Sequence, residues 1–269
     1  MISSAQLFIS VFSYIFIQGS HVKKNISALS LLAISICFFP DIASAASSHS
    51  ATSTQTFSVR LGASRLIYDP ASNGTTLTVT NPQDYPILIQ SQALEENRKN
   101  KAPFVVTPPL MRLDGQQSSR LRIVRTGGNF RADRETLQWL CVKGIPPKAG
   151  DEWAKEKADK VSLNVQLTIN NCIKLLIRPG ALKGHPDDAE NRLQWQQHGN
   201  KLTATNNSPF YINISTLKIN DITVQDIKYV APFSSRDFTL PSATRSKRIE
   251  WKIVNDYGGE SQTWQTNAE

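Results

Sequence analysis

The sequence predicts an all-β chain arranged as two immunoglobulin-like β-sandwiches behind a removable leader. Three observations carry this. From Phe57 onward, short runs alternate apolar and polar residues, the period of a half-buried strand. Turn-forming pairs punctuate the runs, among them Asp69-Pro70, Asn73-Gly74, Asn81-Pro82, Asp114-Gly115 and Gly127-Gly128. The runs fall into two groups on either side of Arg178-Pro179-Gly180, and each group is long enough for a small sandwich.

The leader comes first. Lys23 and Lys24 precede an apolar run from Ile26 to Phe39, Pro40 breaks it, and Ala43-Ser44-Ala45 offers small residues for cleavage. That is the order of a secretory signal. The run is shorter than the ~20 residues of a membrane-spanning helix, so residues 1–45 are expected to be cleaved, leaving no stable membrane anchor. A second apolar stretch, Leu7 to Ile17, lies upstream of a signal already complete, which places the expected start of translation near Val22.

Residues 46–56 are rich in Ser, Thr and Ala and read as a flexible start to a first domain spanning 46–178. Its strands are expected over Phe57–Leu61, Thr76–Thr80, Tyr85–Gln90, Phe104–Thr107, Leu121–Ile123, Leu137–Val142 and Leu163–Ile177. The charged stretch Lys148–Lys160 has no usable apolar face and reads as a loop. The second domain, 179–269, is expected to place strands over Leu193–Gln196, Leu202–Thr205, Phe210–Ile219, Ile222–Tyr229, Phe238–Leu240 and Ile249–Asn255.

Composition narrows function mostly by exclusion. With 269 residues, 40% hydrophobic and 19% charged, the chain is not collagen-like, low-complexity or wholly disordered. A formal charge of +8 suits acidic partners without naming one. There is no GxSxG elbow, phosphate-binding glycine loop, GxGxxG or HExxH, and the carboxylates are too scattered to nominate an acid–base pair. An enzyme is not expected. His185 lies near Asp187, Asp188 and Glu190, but the segment reads as a solvated loop, and no metal is expected. The arginines 112, 120, 122, 125, 131 and 134 lack interleaved aromatics for stacking bases. Arg120 and Arg122 alternate with Leu121 and Ile123 as the wet face of a half-buried strand would. Nucleic acid is not expected as a partner.

Outside the leader the cysteines are Cys141 and Cys172. An even pair in an exported chain points to one disulfide; two separate buried thiols are the other reading. Leu163, Val165, Leu167 and Ile169 share one face of an expected strand beside the long charged loop. A core strand is the plainer reading of such a row. An exposed edge with alternate apolar side chains is also what a strand added to a partner's sheet needs. Phe57 and Val59 begin a second alternating row open to the same two readings. Arg65 and Lys174 are single basic residues in otherwise apolar strands. Each either reaches solvent at a strand end or, if the two converge, forms a carboxylate site.

Several longer strings resemble the PapD-like periplasmic chaperones of the usher pathway. They are Leu61-Gly-Ala-Ser-Arg65-Leu-Ile-Tyr68, Asn81-Pro-Gln-Asp-Tyr-Pro86-Ile-Leu-Ile-Gln90, Phe104-Val-Val-Thr-Pro-Pro-Leu-Met-Arg-Leu113, Gly144-Ile-Pro-Pro147, Ile173-Lys174-Leu-Leu-Ile-Arg178-Pro179, Asn207-Ser-Pro-Phe-Tyr211 and Ile253-Val-Asn-Asp256-Tyr-Gly-Gly259. They cover most of residues 57–260 in order. The positions of Cys141 and Cys172 resemble the subclass with a long F–G loop, which serves thin or atypical surface fibres.

The resemblance implies two immunoglobulin-like domains set at an angle, in the periplasm of a Gram-negative bacterium. It implies that Arg65 and Lys174 hold the C-terminal carboxylate of a fibre subunit, and that Leu163, Val165, Leu167 and Ile169 fill the subunit's open groove. The complex then goes to an outer-membrane usher. No cofactor is implied. Arg178 and Asp256 match an interdomain ion pair. A third, acidic member is expected just before Ile145-Pro146-Pro147; Gly144 stands there, so only the pair is expected. The free protein is expected to self-associate over its apolar row. The alternative is a secreted adhesin or carbohydrate-binding sandwich, which accounts for the export and the β pattern but not for the basic pair or the linker.

Overall fold

Alternation such as that of Thr76–Thr80 sends one set of side chains into a core and the other into water, and the computed structural model shows where each set goes. The structure describes residues 52–147, 163–191, 193–240 and 248–267. The expected leader and the charged loop Lys148–Lys160 lie outside the described residues. What is described is β structure apart from a short 3-10 turn at Pro186–Asn191. Among the described residues no helix is long and apolar enough to cross a membrane.

Strands are numbered in chain order. One sheet of the first sandwich joins β3 (Arg65–Tyr68), β11 (Asn170–Ile177), β9 (Thr136–Ile145), β5 (Ile87–Glu95) and β7 (Leu110–Leu113), in that lateral order. The facing sheet joins β2 (Arg60–Leu61), β4 (Thr75–Thr80), β8 (Ser118–Arg125) and β6 (Phe104–Thr107). Leu77, Val79, Leu121 and Ile123 meet Ile87, Ile89, Leu140, Val142, Leu175 and Ile177 in the core between them. Arg120 and Arg122 lie on the solvent face of β8, opposite the fully buried Leu121 and Ile123. Beside this sandwich, β1 (Thr52–Phe57) and β10 (Leu163–Thr168) form a separate parallel pair.

In the second sandwich, β12 (Leu193–His198), β13 (Lys201–Asn206) and β17 (Ser234–Thr239) form one sheet. The other runs β15 (Ile222–Thr223), β14 (Ile212–Ile219), β18 (Arg248–Ile253) and β19 (Trp264–Asn267), with β16 (Tyr229–Val230) also paired to β14. Trp195, Trp251 and Trp264 fill its centre, with ring centroids 5.4 Å apart for the first pair and 6.2 Å for the second.

Each sandwich is pinned by a fully buried asparagine at the end of a strand, Asn81 just past β4 and Asn206 as the last residue of β13. The Asn81 side-chain amide donates to the carbonyls of Tyr85, Leu113 and Asp114. That of Asn206 donates to the carbonyls of Phe210, Val230 and Ala231. In both places one side chain satisfies backbone acceptors that a connection crossing the core would otherwise leave bare.

Four expectations are corrected. The run Leu163–Ile177 is two strands, because the chain changes partners at Ile169: β10 pairs with β1, whereas β11 pairs with β9 and β3. Residues 52–56, expected to be flexible, are strand; their threonines suit extended backbone and β10 supplies the ladder. The expected strand Ile222–Tyr229 is interrupted, with Asp226 in a left-handed conformation at φ 54, leaving the short β15 and β16. Phe57 and Val59 are core, 1% and 3% exposed, and Phe57 packs edge-on against Tyr85. Their alternation is the inward face of the chain as it enters the first sandwich, so these two side chains are spent on its core.

Candidate functional site

The face of β9 turned away from the first core carries Leu137, Trp139 and Cys141. They join Leu94, Leu176 and Tyr211 in a third buried cluster, with Tyr229 and Ala231 packed against it. Tyr211, Tyr229 and Ala231 belong to the second sandwich, so this cluster is the seam between the two.

A charge network crosses the same seam. The Arg178 guanidinium donates twice to Asp256, at 2.6 and 2.7 Å, and its Nε donates to Glu135 Oε1 at 2.6 Å. The other Glu135 oxygen accepts from the Tyr211 backbone N–H at 2.7 Å. Burial works against the charge on all three groups. At Asp256 the Arg178 guanidinium outweighs burial and holds the carboxyl below its usual range. At Glu135 burial wins and pushes the carboxyl up despite Arg178. His185 Nδ1 also approaches Asp256, at 3.2 Å.

Glu135 corrects the expectation of a bare pair. A third member is present, but at the start of β9 rather than beside Ile145. Position 144 is a poor place for it, because a Cβ there would lie 3.3 Å from Val59 and 3.4 Å from Ile87, against core side chains of the first sandwich that would have to give way. In the sequence Glu135 looked like one of many scattered acids. Nothing in the sequence sets it apart from Asp133 two residues earlier.

Arg65 and Lys174 are direct neighbours in register on the parallel strands β3 and β11. Arg65 is 9% exposed; its Nη1 donates to the Val254 carbonyl at 3.1 Å, while its Nε is buried without a partner. The Lys174 ammonium faces two rings, Trp139 at 5.7 Å and Tyr229 at 5.6 Å. Among the described residues neither side chain makes an ion pair. Burial, and then the charges of Arg65 and Arg98, bring the Lys174 pKa down to about 8. Two half-shielded donors side by side, one with an unfilled N–H, make a place for a carboxylate.

β10 ends at Thr168, just before β11, the strand that carries Lys174. Its one strand partner among the described residues is β1, so its other edge carries no neighbour there. Leu167 is 49% exposed and Ile169 41%. For Leu163 and Val165 the backbone register fixes their place, opposite Thr52 and Thr54. The apolar row is thus carried by the strand whose free edge could pair with another chain. Trp139 and Tyr229, which shape the basic cleft, were not singled out in the sequence because aromatic residues in strands ordinarily read as core.

Cys141 and Cys172 sit opposite each other on β9 and β11 and are joined by a disulfide that closes a 31-residue separation. β10 lies inside that closed loop. Cys172→Ser is expected to lower unfolding free energy by about 2–4 kcal/mol, read by urea denaturation, and the unfolded wild-type protein should show no titratable thiol. Two free thiols in exported wild-type protein would reject the bond.

Comparison with known proteins gives concordant results. The family described as pili and flagellar-assembly chaperone, PapD N-terminal domain, matches residues 58–183. That described as pili assembly chaperone PapD, C-terminal domain, matches residues 188–265. Chaperone protein AfaB of Escherichia coli is 60% identical over 199 residues, covering 72% of this chain and 81% of the relative. The crystal structure of the E. coli chaperone DraB is 55% identical with a TM-score of 0.72, covering 81% of this chain and all of that one (100%). The structure of the Salmonella enterica SafA pilin in complex with the SafB chaperone gives 42% identity and a TM-score of 0.72, covering 80% and 99%. With both domains matched in order on two packed sandwiches, the chain belongs to the family of PapD-like pilus-assembly chaperones.

Proposed function

We propose that this chain captures exported fibre subunits in the periplasm, holding the C-terminal carboxylate of each with Arg65 and Lys174 and completing its sheet with β10, until an outer-membrane usher takes it for assembly. The observation that carries this reading is that one run of chain, Leu163–Ile177, holds both a strand whose other edge is open among the described residues, with Leu167 and Ile169 exposed, and Lys174, which sits beside Arg65 as a basic couple without an ion pair. A carboxylate and an incomplete sheet are what such a surface lacks, and the end of an unfinished subunit supplies both. The SafA–SafB structure, a pilin with its chaperone, supports the same class of partner. The processing expected at residue 45 and the domain division at Arg178-Pro179 belong to this proposal.

Lys174→Ala is expected to fold yet recover no subunit from the periplasm; a normal subunit yield from a folded variant would refute the carboxylate anchor. A pH dependence follows from the same geometry. In the free cleft the Lys174 ammonium titrates at about 8. A bound carboxylate favours the ammonium and raises that value, so above pH 8 binding must take up a proton. Affinity for the subunit is expected to be flat below about pH 7 and to fall above pH 8, at up to about tenfold per pH unit. For stability of the free chain, the depressed value makes Lys174 costly below 8 and harmless above its ordinary 10.5, so unfolding free energy rises between those limits. Lys174→Arg should flatten the binding profile. An unchanged slope in that variant would assign the titration elsewhere.

A further inference from the structure

Two arginines that play no part in the proposed anchor stand beside it. The Arg98 guanidinium lies 3.7 Å from the centroid of Trp139, one of the two rings facing Lys174. Arg236, on β17 of the second sandwich, lies 5.0 Å over Tyr229, the other ring. Both rings are fixed by Glu96: its carbonyl accepts from the Trp139 indole at 3.1 Å and its carboxylate from the Tyr229 hydroxyl at 2.7 Å. Arg98 itself is held in a left-handed conformation, φ 58. Its turn is closed by hydrogen bonds from the Arg98 N–H to the Glu95 carbonyl and from the Glu95 N–H to the Asn100 carbonyl. Asn97 Oδ1 accepts from the next two N–H groups of that turn, Lys99 and Asn100.

Arginines do lie over aromatic rings simply to cover them, but the charge balance here asks for more. Lys174, Arg98 and Arg236 gather around two rings with Arg65 beside Lys174 in register, and none of them makes an ion pair among the described residues. Glu96 is the carboxylate bonded at these rings, and it is already engaged by Tyr229. The repulsion is felt at Lys174, where Arg65 and Arg98 add to the effect of burial. One subunit carboxylate would leave positive charge in excess, and a second anion would relieve it.

We infer that Arg98 and Arg236, set on Trp139 and Tyr229, form a second anion subsite beside the carboxylate anchor, taking an acidic side chain close to the C-terminus of the bound subunit. This rests on the reading of Arg65 and Lys174 as the anchor. The cleft then selects subunits by the charge of their last residues as well as by their free carboxylate.

Acetylated tripeptides with a free C-terminal carboxylate test it against the whole chaperone at low ionic strength, followed by the indole N–H resonance of Trp139. One peptide is all alanine; three others carry a single Asp at each position in turn. At least one Asp peptide should bind about three- to tenfold tighter than the all-alanine peptide, as a partly shielded charge pair would provide. Arg98→Gln combined with Arg236→Gln should remove that advantage, read as the ratio of Asp-peptide to all-alanine affinity, so that any change in the anchor common to all four peptides cancels. Equal affinity for all four peptides, or an Asp advantage that survives in the double variant, overturns the subsite. Lys174→Ala separates the two readings: undiminished binding of the all-alanine peptide there overturns the anchor instead. Absence of binding by every peptide overturns both.

Discussion

Arg178→Ala is expected to remove about 3–5 kcal/mol of stability, the usual consequence of leaving buried charge without its partner. Glu135 has a side chain 0% exposed and Asp256 one 14% exposed, so water cannot replace the guanidinium. Tyr211 would still donate to Glu135, but one neutral donor does not balance a carboxylate in the seam. The loss should also depend on pH. Glu135 is already pushed above its ordinary 4.5 by burial, and without Arg178 it rises further. A raised carboxyl costs nothing below its ordinary value and its full amount once pH has climbed past the raised one. Asp256, depressed by Arg178, contributes stability above its ordinary 3.8 that fades as pH falls through the depressed value. Glu135 makes the gap between variant and wild type widest at neutral pH and narrows it as pH falls toward 4.5, whereas Asp256 narrows it further only below 3.8. Urea unfolding at pH 7 and pH 4.5, followed by tryptophan fluorescence and circular dichroism, reads it. Arg178→Met with Glu135→Gln should recover much of the loss, because no buried charge is stranded at Glu135. A single variant losing under about 1 kcal/mol would mean that the network is solvated and that the aromatic seam alone joins the sandwiches.

The fold was legible where alternation is regular. Leu77 and Val79, or Leu121 and Ile123 between their arginines, announce both strand and face. Partner choice was not legible. Nothing in Leu163–Ile177 marks Ile169 as the point where one strand leaves a sheet and another joins it, because the change lies in the neighbours rather than in the residues. Phe57 and Val59 show the same limit: their alternation equals that of Leu167 and Ile169, and only three-dimensional position makes one row core and the other exposed. The cleft was half legible. A lone cation in an apolar strand marks Arg65 and Lys174. Glu135 and Arg98 carry no comparable mark, since an acid ahead of a strand and a base in a charged turn are ordinary surface features until the seam and Trp139 close upon them.

Leu167→Asp with Ile169→Asp is expected to lower subunit affinity by about a thousandfold or more. Each aliphatic side chain buried in a groove contributes ~1.5–3 kcal/mol, and a carboxylate in its place adds a desolvation cost of its own. Ordering and association costs apply to wild type and variant alike and largely cancel in the comparison. Both side chains are 40% exposed or more in the free chain, at 49% and 41%, so the substitutions remove little from the chaperone's own core. Val165→Asp extends the test along the row. Thr168→Asp is the control: Thr168 is exposed and points to the opposite face of the strand, so capture should persist. Subunit recovery from the periplasm measures the outcome, with circular dichroism to confirm folding. An exposed row also predicts concentration-dependent self-association of the free chaperone, seen by sedimentation and lost in the double variant. If the variants fold and still capture subunit as wild type does, β10 is not the strand that completes the subunit, and the open edge must serve another contact. If they do not fold, the row is core despite its exposure, and the subunit must be held elsewhere along the cleft.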